Sequence, residues 1–269
     1  MDWDPHFAER SPLFEPLRTH AATLGPGWPG IDALQQLIDA RQPPVTNAAG
    51  RALRIVPQPR GRGDSHPGYE PRLHRDGELQ VRERNWHDVL NVLVWLAFPR
   101  AKAALNARHC LELGRESRGR RGQARDALTL FDEGGVVVAA DDPELLEMLA
   151  ARRWKALFWE RRGEVRSRMR FLVFGHALYE KALAPFDGIT ARGMLLTVAT
   201  PALEAPLERL LAQADAEIAA RISDPQSLSA PRDLAPVPIL GVPGWSSCNE
   251  REVYYDNQQY FRPLELQGT

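Results

Sequence analysis

Apolar positions are densest between residues 84 and 109 (RNWHDVLNVLVWLAFPRAKAALNARH), where they repeat at helical spacing. Trp86, Leu90, Leu93, Val94 and Ala97 recur every three or four residues, and Val89, Val92, Leu96 and Phe98 fill the other faces. A helix that is apolar nearly all round belongs in a core. The run is about half of the roughly 20 residues that a membrane span needs. Asn85 is expected to cap this helix, with Asp88 in a capping-box-like role three residues on. Pro99 ends it and opens a second helix over 99–113, closed by Gly114.

The same patterning predicts the other elements. Ser11-Pro12 starts a helix that reaches about Leu24, and a second helix over 31–41 is stopped by Gln42-Pro43-Pro44. A short strand follows at 52–58, then a loop at 60–68. Residues 69–82 carry Asp76-Gly77 between two short alternating runs and are expected to form a β-hairpin. A glycine-bearing basic loop occupies 115–125. The stretch 126–140 reads as a helix to Glu133 followed by a strand from Val136 to Ala139, with a hairpin turning at Glu133-Gly134-Gly135 as the alternative. Asp142-Pro143-Glu144 starts a helix that continues or restarts through Trp154, Leu157 and Phe158. A strand at 168–174, a break at Gly175, a helix at 176–183, a strand at 194–199 and an amphipathic helix at 207–222 complete the regular part. From Ser223 onward Pro, Ser and Gly dominate, yet the segment is rich in Trp, Tyr, Phe, Ile and Leu, so it is expected to pack rather than to be disordered. The sum is one helix-rich α+β domain with a small sheet: N-terminal helices over 1–50, an α+β core over 51–222, and an irregular packed segment over 223–269.

Composition narrows the function classes. With 269 residues, 43% of them hydrophobic, the chain can build one sizeable core. A formal net charge of −1 gives no global pull toward nucleic acid or membrane. Of 34 basic residues only Lys102, Lys155 and Lys181 are lysines. A coding bias toward Arg explains this better than a phosphate-binding surface, which uses Arg without excluding Lys. Two stretches, 99–125 and 151–170, each hold eight basic residues against two Glu, and Trp154, Phe158 and Trp159 interleave the second. They support a nucleic-acid-binding alternative, although tryptophans at helical spacing are more often core. Cys110 and Cys248 form neither a disulfide framework nor a zinc pattern, and Cys110 is expected to be a small buried apolar group. The opening MDWDPHFAER has no basic region and no apolar stretch of the secretory kind, which points to a cytoplasmic protein.

Candidate chemistry rests on histidines and carboxylates. His87 and Asn91 share a face of the first central helix, and Asn106 and His109 a face of the second, so an antiparallel pairing would gather all four. His176 follows a strand and a glycine at the start of a helix, with Glu180 four residues on. That pair suits co-ligation of a metal or acid/base work, while the bland reading has His176 at a junction and Glu180 paired with a basic residue. Asp132-Glu133 precedes a glycine pair, where carboxylates are usually solvated. Together His87, His109, His176, Asp132, Glu133 and Glu180 are the right types for general acid/base chemistry or a mixed N/O metal site. No spacing matches a specific metal signature, a nucleophile elbow, a Walker A loop or a dinucleotide fingerprint, so no cofactor is assigned. These residues favour an enzyme acting on a small substrate by hydrolytic or acid/base chemistry. The alternatives are an Arg-based nucleic-acid binder and a non-catalytic interaction protein.

Several ordered segments carry a resemblance: Asn85-Trp86-His87-Asp88, the run from Pro99 to Asn106, His109, the run from Arg125 to Glu133, Phe174-Gly175-His176-Ala177, Leu240-Gly241-Val242-Pro243-Gly244-Trp245 and Tyr260-Phe261-Arg262-Pro263. On these the chain resembles a bacterial family of uncharacterised proteins (domain of unknown function 3025) over nearly its whole length. The resemblance implies one full-length domain, and it carries over no activity and no functional residues.

Overall fold

A computed structural model describes residues 1–58, 68–116 and 122–264. Of the loops expected at 60–68 and 115–125, residues 60–67 and 117–121 lie outside the described residues. At the N-terminus Ser11 Oγ accepts the Leu13 N–H (3.2 Å) and Pro12 opens the turn, as capping chemistry requires. The helix expected there is a 3₁₀ segment, Pro12–Leu17, passing into one α-turn, α1 (Arg18–Ala21). Pro16 lacks the N–H that a longer α-helix would use. Helix α2 (Ile31–Ala40) and strand β1 (Arg54–Pro57) follow as predicted.

The hairpin expected at 69–82 is not formed. Tyr69–Asp76 is a helix, α3, and Glu78–Val81 is a strand, β2, which pairs in parallel with β1 in the register Ile55–Leu79. Gly77 takes φ +72° and its N–H closes on Leu73 O (3.0 Å), so it is the left-handed C-cap of α3. A Cβ there would sit 2.4 Å from the Ala52 carbonyl oxygen. Asp-Gly serves a hairpin turn and a helix C-cap equally, because both need positive φ. Glu70-Pro71 in the first turn, where backbone N–H groups have no intrahelical partner, is the local cue for the helix.

Helix α4 (Trp86–Ala97) is capped by Asn85, whose Oδ1 accepts the Asp88 N–H (3.0 Å). Asp88 does not close a capping box. Its Oδ2 accepts the Arg82 N–H (2.7 Å), and both its oxygens accept from the Arg82 guanidinium. Pro99 opens α5 (Pro99–Arg115), which runs one residue past Gly114. Helix α6 (Gln123–Gly134) leads directly into strand β3 (Gly135–Ala140), the helix-then-strand alternative. Asp142 caps α7 (Pro143–Ala150). The apolar run beyond it breaks at Arg152 (φ +55°) and restarts as a π-turn, Ala156–Glu160, and α8 (Arg162–Arg168).

Strand β4 (Met169–Val173), α9 (His176–Ala182), β5 (Thr190–Thr197), the short α10 (Thr200–Leu203), α11 (Leu207–Ser223) and β6 (Ala235–Pro238) complete the fold. Strand β5 begins four residues earlier than its apolar run because Thr190–Gly193 pairs with β6. The main sheet has the order β4-β3-β5-β6, parallel between β3 and β5 and antiparallel elsewhere. All six residues of β3 are buried, which fits its unbroken Val and Ala run at the sheet centre. The architecture is α+β and helix-rich, and one continuous cluster of buried apolar residues extends from Phe7 to Phe261. Among the described residues no helix is long and apolar enough to cross a membrane. Cys110 is only half-buried.

The irregular C-terminal segment is held by side chain to backbone hydrogen bonds. Asn249 is fully buried, and its Nδ2 donates to Leu240 O (2.8 Å) and Val242 O (2.7 Å). The Tyr260 hydroxyl donates to Ile189 O (2.8 Å) and accepts the Leu240 N–H (2.9 Å).

Candidate functional site

Two backbone junctions build the site. At one, α6 ends and β3 begins. At the other, β4 ends and α9 begins. They lie against each other because the N–H groups of Phe174 and Gly175 both donate to Gly135 O (2.9 Å each). The approach is so close that a Cβ on Gly175 would fall 2.6 Å from Glu133 O. Glycine at 175 is what allows His176 to stand beside Asp132 and Glu133.

His176 is buried, and its Nδ1 faces Asp132, with the carboxylate Oδ1 3.7 Å away. Its Nε2 lies 3.9 Å from Glu133 Oε1 and 3.0 Å from His87 Nε2. His87 comes from the first turn of α4, and the two rings meet edge to face, 78° apart with centroids at 4.4 Å. The other nitrogen of His87, Nδ1, is 3.0 Å from Glu180 Oε2. Glu180 therefore orients His87 and does not co-ligand with His176, the partner that the i,i+4 spacing suggested. One oxygen or nitrogen from each of His87, Glu133 and His176 falls within a sphere where all are less than 4.8 Å apart.

Behind this trio lies a buried ion pair. Lys102 of α5 is 4% exposed, and its Nζ donates to Asp132 Oδ1, over the faces of Trp95 and Phe174. Burial raises the Asp132 carboxyl, but the charge and hydrogen bond of Lys102 together with the neighbouring His176 and His109 outweigh it and hold the group below the usual carboxylate range. Burial pushes His176 down to about 3, so its imidazole is neutral at physiological pH. Glu133 is shifted upward, first by burial and then by the charge of Asp132.

A polar cavity of about 310 Å³ opens in front of these groups. His87, His176, Asp132 and Glu133 line it together with Tyr69, Glu70 and Asn91. Glu70, from α3, accepts from Asn106 Nδ2 (2.6 Å to Oε2, 3.0 Å to the main-chain oxygen). Burial drives its carboxyl up to about 7. The Tyr69 hydroxyl, raised well above its ordinary value by burial, lies 3.2 Å from Asn91 Nδ2.

The six predicted residues thus divide. His87, His176, Glu133 and Glu180 converge, and Asp132 supports them. His109 is buried on α5, close enough to Asp132 for its charge to act on that carboxylate, but it is not among the described cavity-lining residues. Of the four residues expected to gather, Asn91 and Asn106 both take partners from α3. Asn91 bonds to Tyr69 and Asn106 to Glu70. Sequence reasoning missed Tyr69, Glu70 and Lys102. The first two were hidden by the hairpin reading. Lys102 looks like one basic residue on a helix until Asp132, thirty residues on, closes over it.

The match to known proteins covers this machinery. The model of a family described as a protein of unknown function (DUF3025) matches residues 53–265. The chain belongs to this family. All the residues of the cavity and of the Lys102–Asp132 pair lie inside the DUF3025 match, and the N-terminal helices mostly precede it. Neither the curated proteins nor the solved structures compared with the chain gave a match.

Proposed function

We propose that the protein is an enzyme acting on a small polar substrate in this cavity, by acid/base or hydrolytic chemistry. One observation carries the reading. Two imidazoles, 89 residues apart in sequence, meet Nε2 to Nε2 at a polar cavity, and each turns its Nδ1 toward a carboxylate. Carboxylates that fix tautomer and ring orientation are how reactive imidazoles are prepared. Glu133 adds a carboxylate on the same side. Glu70, which lines the same cavity and is pushed up to about 7 by burial, has a proton affinity suited to general-base work at physiological pH. His109 and Asp132 act through these groups.

No comparable observation favours the nucleic-acid reading. In the basic stretch 151–170, Arg161 pairs with Glu144 and Glu164, Arg162 and Arg166 with Glu250, Arg168 with Asp141 and Asp142, and Lys155 with Glu252 and Asp256. Trp154 and Phe158 are core residues. The interaction-protein reading loses its motive too, because Tyr255, Tyr260 and Phe261 of the C-terminal segment are buried.

Incubating the purified protein with a small-metabolite extract, followed by mass spectrometry, tests the proposal. At least one metabolite is expected to be consumed by the wild type and spared by His176→Asn. Equal profiles for the two proteins would overturn the reading.

A further inference from the structure

The 3.0 Å approach of His87 Nε2 and His176 Nε2 needs a chemical reason. Glu180 at 3.0 Å places the His87 proton on Nδ1, since a carboxylate only accepts. Asp132 sets the same preference for His176, with its Oδ1 3.7 Å from the buried Nδ1. Both Nε2 atoms then present lone pairs to the same point, and Glu133 Oε1 adds a third acceptor 3.9 Å from His176 Nε2. Three acceptors converging at one place repel unless a cation sits among them. Two ligand atoms bound to one ion at about 2.0–2.1 Å are roughly 2.8–3.4 Å apart, as the angle between them opens from a right angle to the tetrahedral value. The two imidazoles already have that separation, and Glu133, half-exposed and on a flexible stem, closes the rest by a change of rotamer.

We propose that His87, His176 and Glu133 bind one divalent transition-metal ion of the zinc class, facing the polar cavity. Two imidazoles and one carboxylate leave coordination positions for water or substrate, as catalytic sites of this donor set do. Glu180 is a positioning residue, which holds the His87 ring as carboxylates hold metal-bound imidazoles. Lys102 belongs to the same design: by neutralising Asp132 it leaves Glu133 as the carboxylate that faces the ion. The inference rests on the enzyme reading of this cavity, but the two can fail separately.

The test uses the full chain, stripped with a chelator and titrated with Co2+ and then with Zn2+ in competition. One equivalent of Co2+ is expected to bind with visible d–d absorption, and one equivalent of Zn2+ to displace it. His176→Asn and Glu133→Gln are each expected to weaken Co2+ binding at least about 100-fold, and Glu180→Gln about 10-fold. His6→Gln, at an exposed site remote from the cavity, should leave it unchanged. Far-UV circular dichroism confirms that each variant is folded, and Glu133, half-exposed, gives a variant that removes no core packing. Two results would overturn the metal site: no saturable one-equivalent binding in the wild type, or equal affinity in Glu133→Gln and the wild type. A proton in place of the metal would show as a protonated His87 Nε2 in the 15N spectrum at every Co2+ or Zn2+ concentration, and it too sinks the proposal. Metabolite consumption by metal-free wild type would remove the metal and leave the enzyme standing. A bound metal without any consumption would do the reverse.

Discussion

Asn249 and His176 are both buried polar residues in a largely apolar protein, and they are treated in opposite ways. Asn249 has both donor hydrogens placed on main-chain carbonyls, of Leu240 and Val242, within the irregular C-terminal segment. It does there what strands and helices do elsewhere, supplying a donor to the Leu240 carbonyl and a second one to the Val242 carbonyl, which also accepts the Trp245 N–H (3.0 Å). His176 sits among side chains that share its needs: another imidazole, two carboxylates and a buried ammonium. Asn249 Oδ1 is itself buried without a partner among the described residues, so the contrast lies in the kind of neighbour and not in saturation. A polar group satisfied by backbone stabilises the fold. A polar group surrounded by convergent acceptors costs stability and is retained for chemistry.

The sharpest challenge to that division is Lys102, which lies in the site yet is predicted to be structural. Lys102→Met leaves the Asp132 charge buried without a partner and is expected to cost about 4 kcal/mol in urea denaturation. The double variant Lys102→Met/Asp132→Asn should recover most of the loss. If it does not, the lysine acts through packing on Trp95 and Phe174 and not through the charge.

Asn249→Ala comes next. It strips the buried Leu240 carbonyl of its donor, leaves the Val242 carbonyl to the Trp245 N–H and opens a small void, and should cost about 3 kcal/mol. A loss below about 1 kcal/mol would mean that the C-terminal segment is held by its aromatic contacts alone, and the contrast with His176 would weaken.

How much of this was legible in the sequence follows the same division. Features that depend on neighbours in the chain were readable: the Asn85 cap, the Pro99 break, the Gly175 junction ahead of His176, and the helix-to-strand passage at Gly134-Gly135. These are local backbone requirements with a restricted choice of residues. The convergence of His87, Glu133, His176 and Glu180 depends on how β3 and β4 pair, and no spacing encodes that. Four of the expected residues do lie together, with one partnership different from the expected one: Glu180 reaches across to His87 of α4. The hairpin error had a larger consequence. Because one dipeptide satisfies two structures, α3 was lost, and with it Tyr69 and Glu70, which line the cavity.

Glu70 gives a pH-dependent test, best made on metal-free protein. Its carboxyl titrates at about 7 in the folded state against an ordinary value of 4.5, so the native state holds the proton more tightly than the unfolded chain. Its contribution to stability is therefore fully present below about pH 4.5 and is lost as pH rises through 7. Glu70→Gln keeps an acceptor for Asn106 and removes the titration. The variant should match the wild type near pH 4 and exceed it by roughly 2–3 kcal/mol at pH 8. A constant difference across that range would show that the carboxyl is ionised normally, and would withdraw it as a base near neutrality.

The smallest effect discriminates most strongly between a site and a network. The His87–Glu180 pair is partly exposed, at 28% and 44% of the side chains, and an ion pair of that kind contributes little. Glu180→Gln is expected to shift stability by less than about 0.5 kcal/mol. If the His87, His176 and Glu180 arrangement were a structural network of the Asn249 kind, the same change would propagate through His87 into the buried His176 and cost several times more. Near-neutral stability combined with weakened cavity function is the signature of a group kept for what it positions. A large loss of stability would move the whole cluster to the structural side of the comparison.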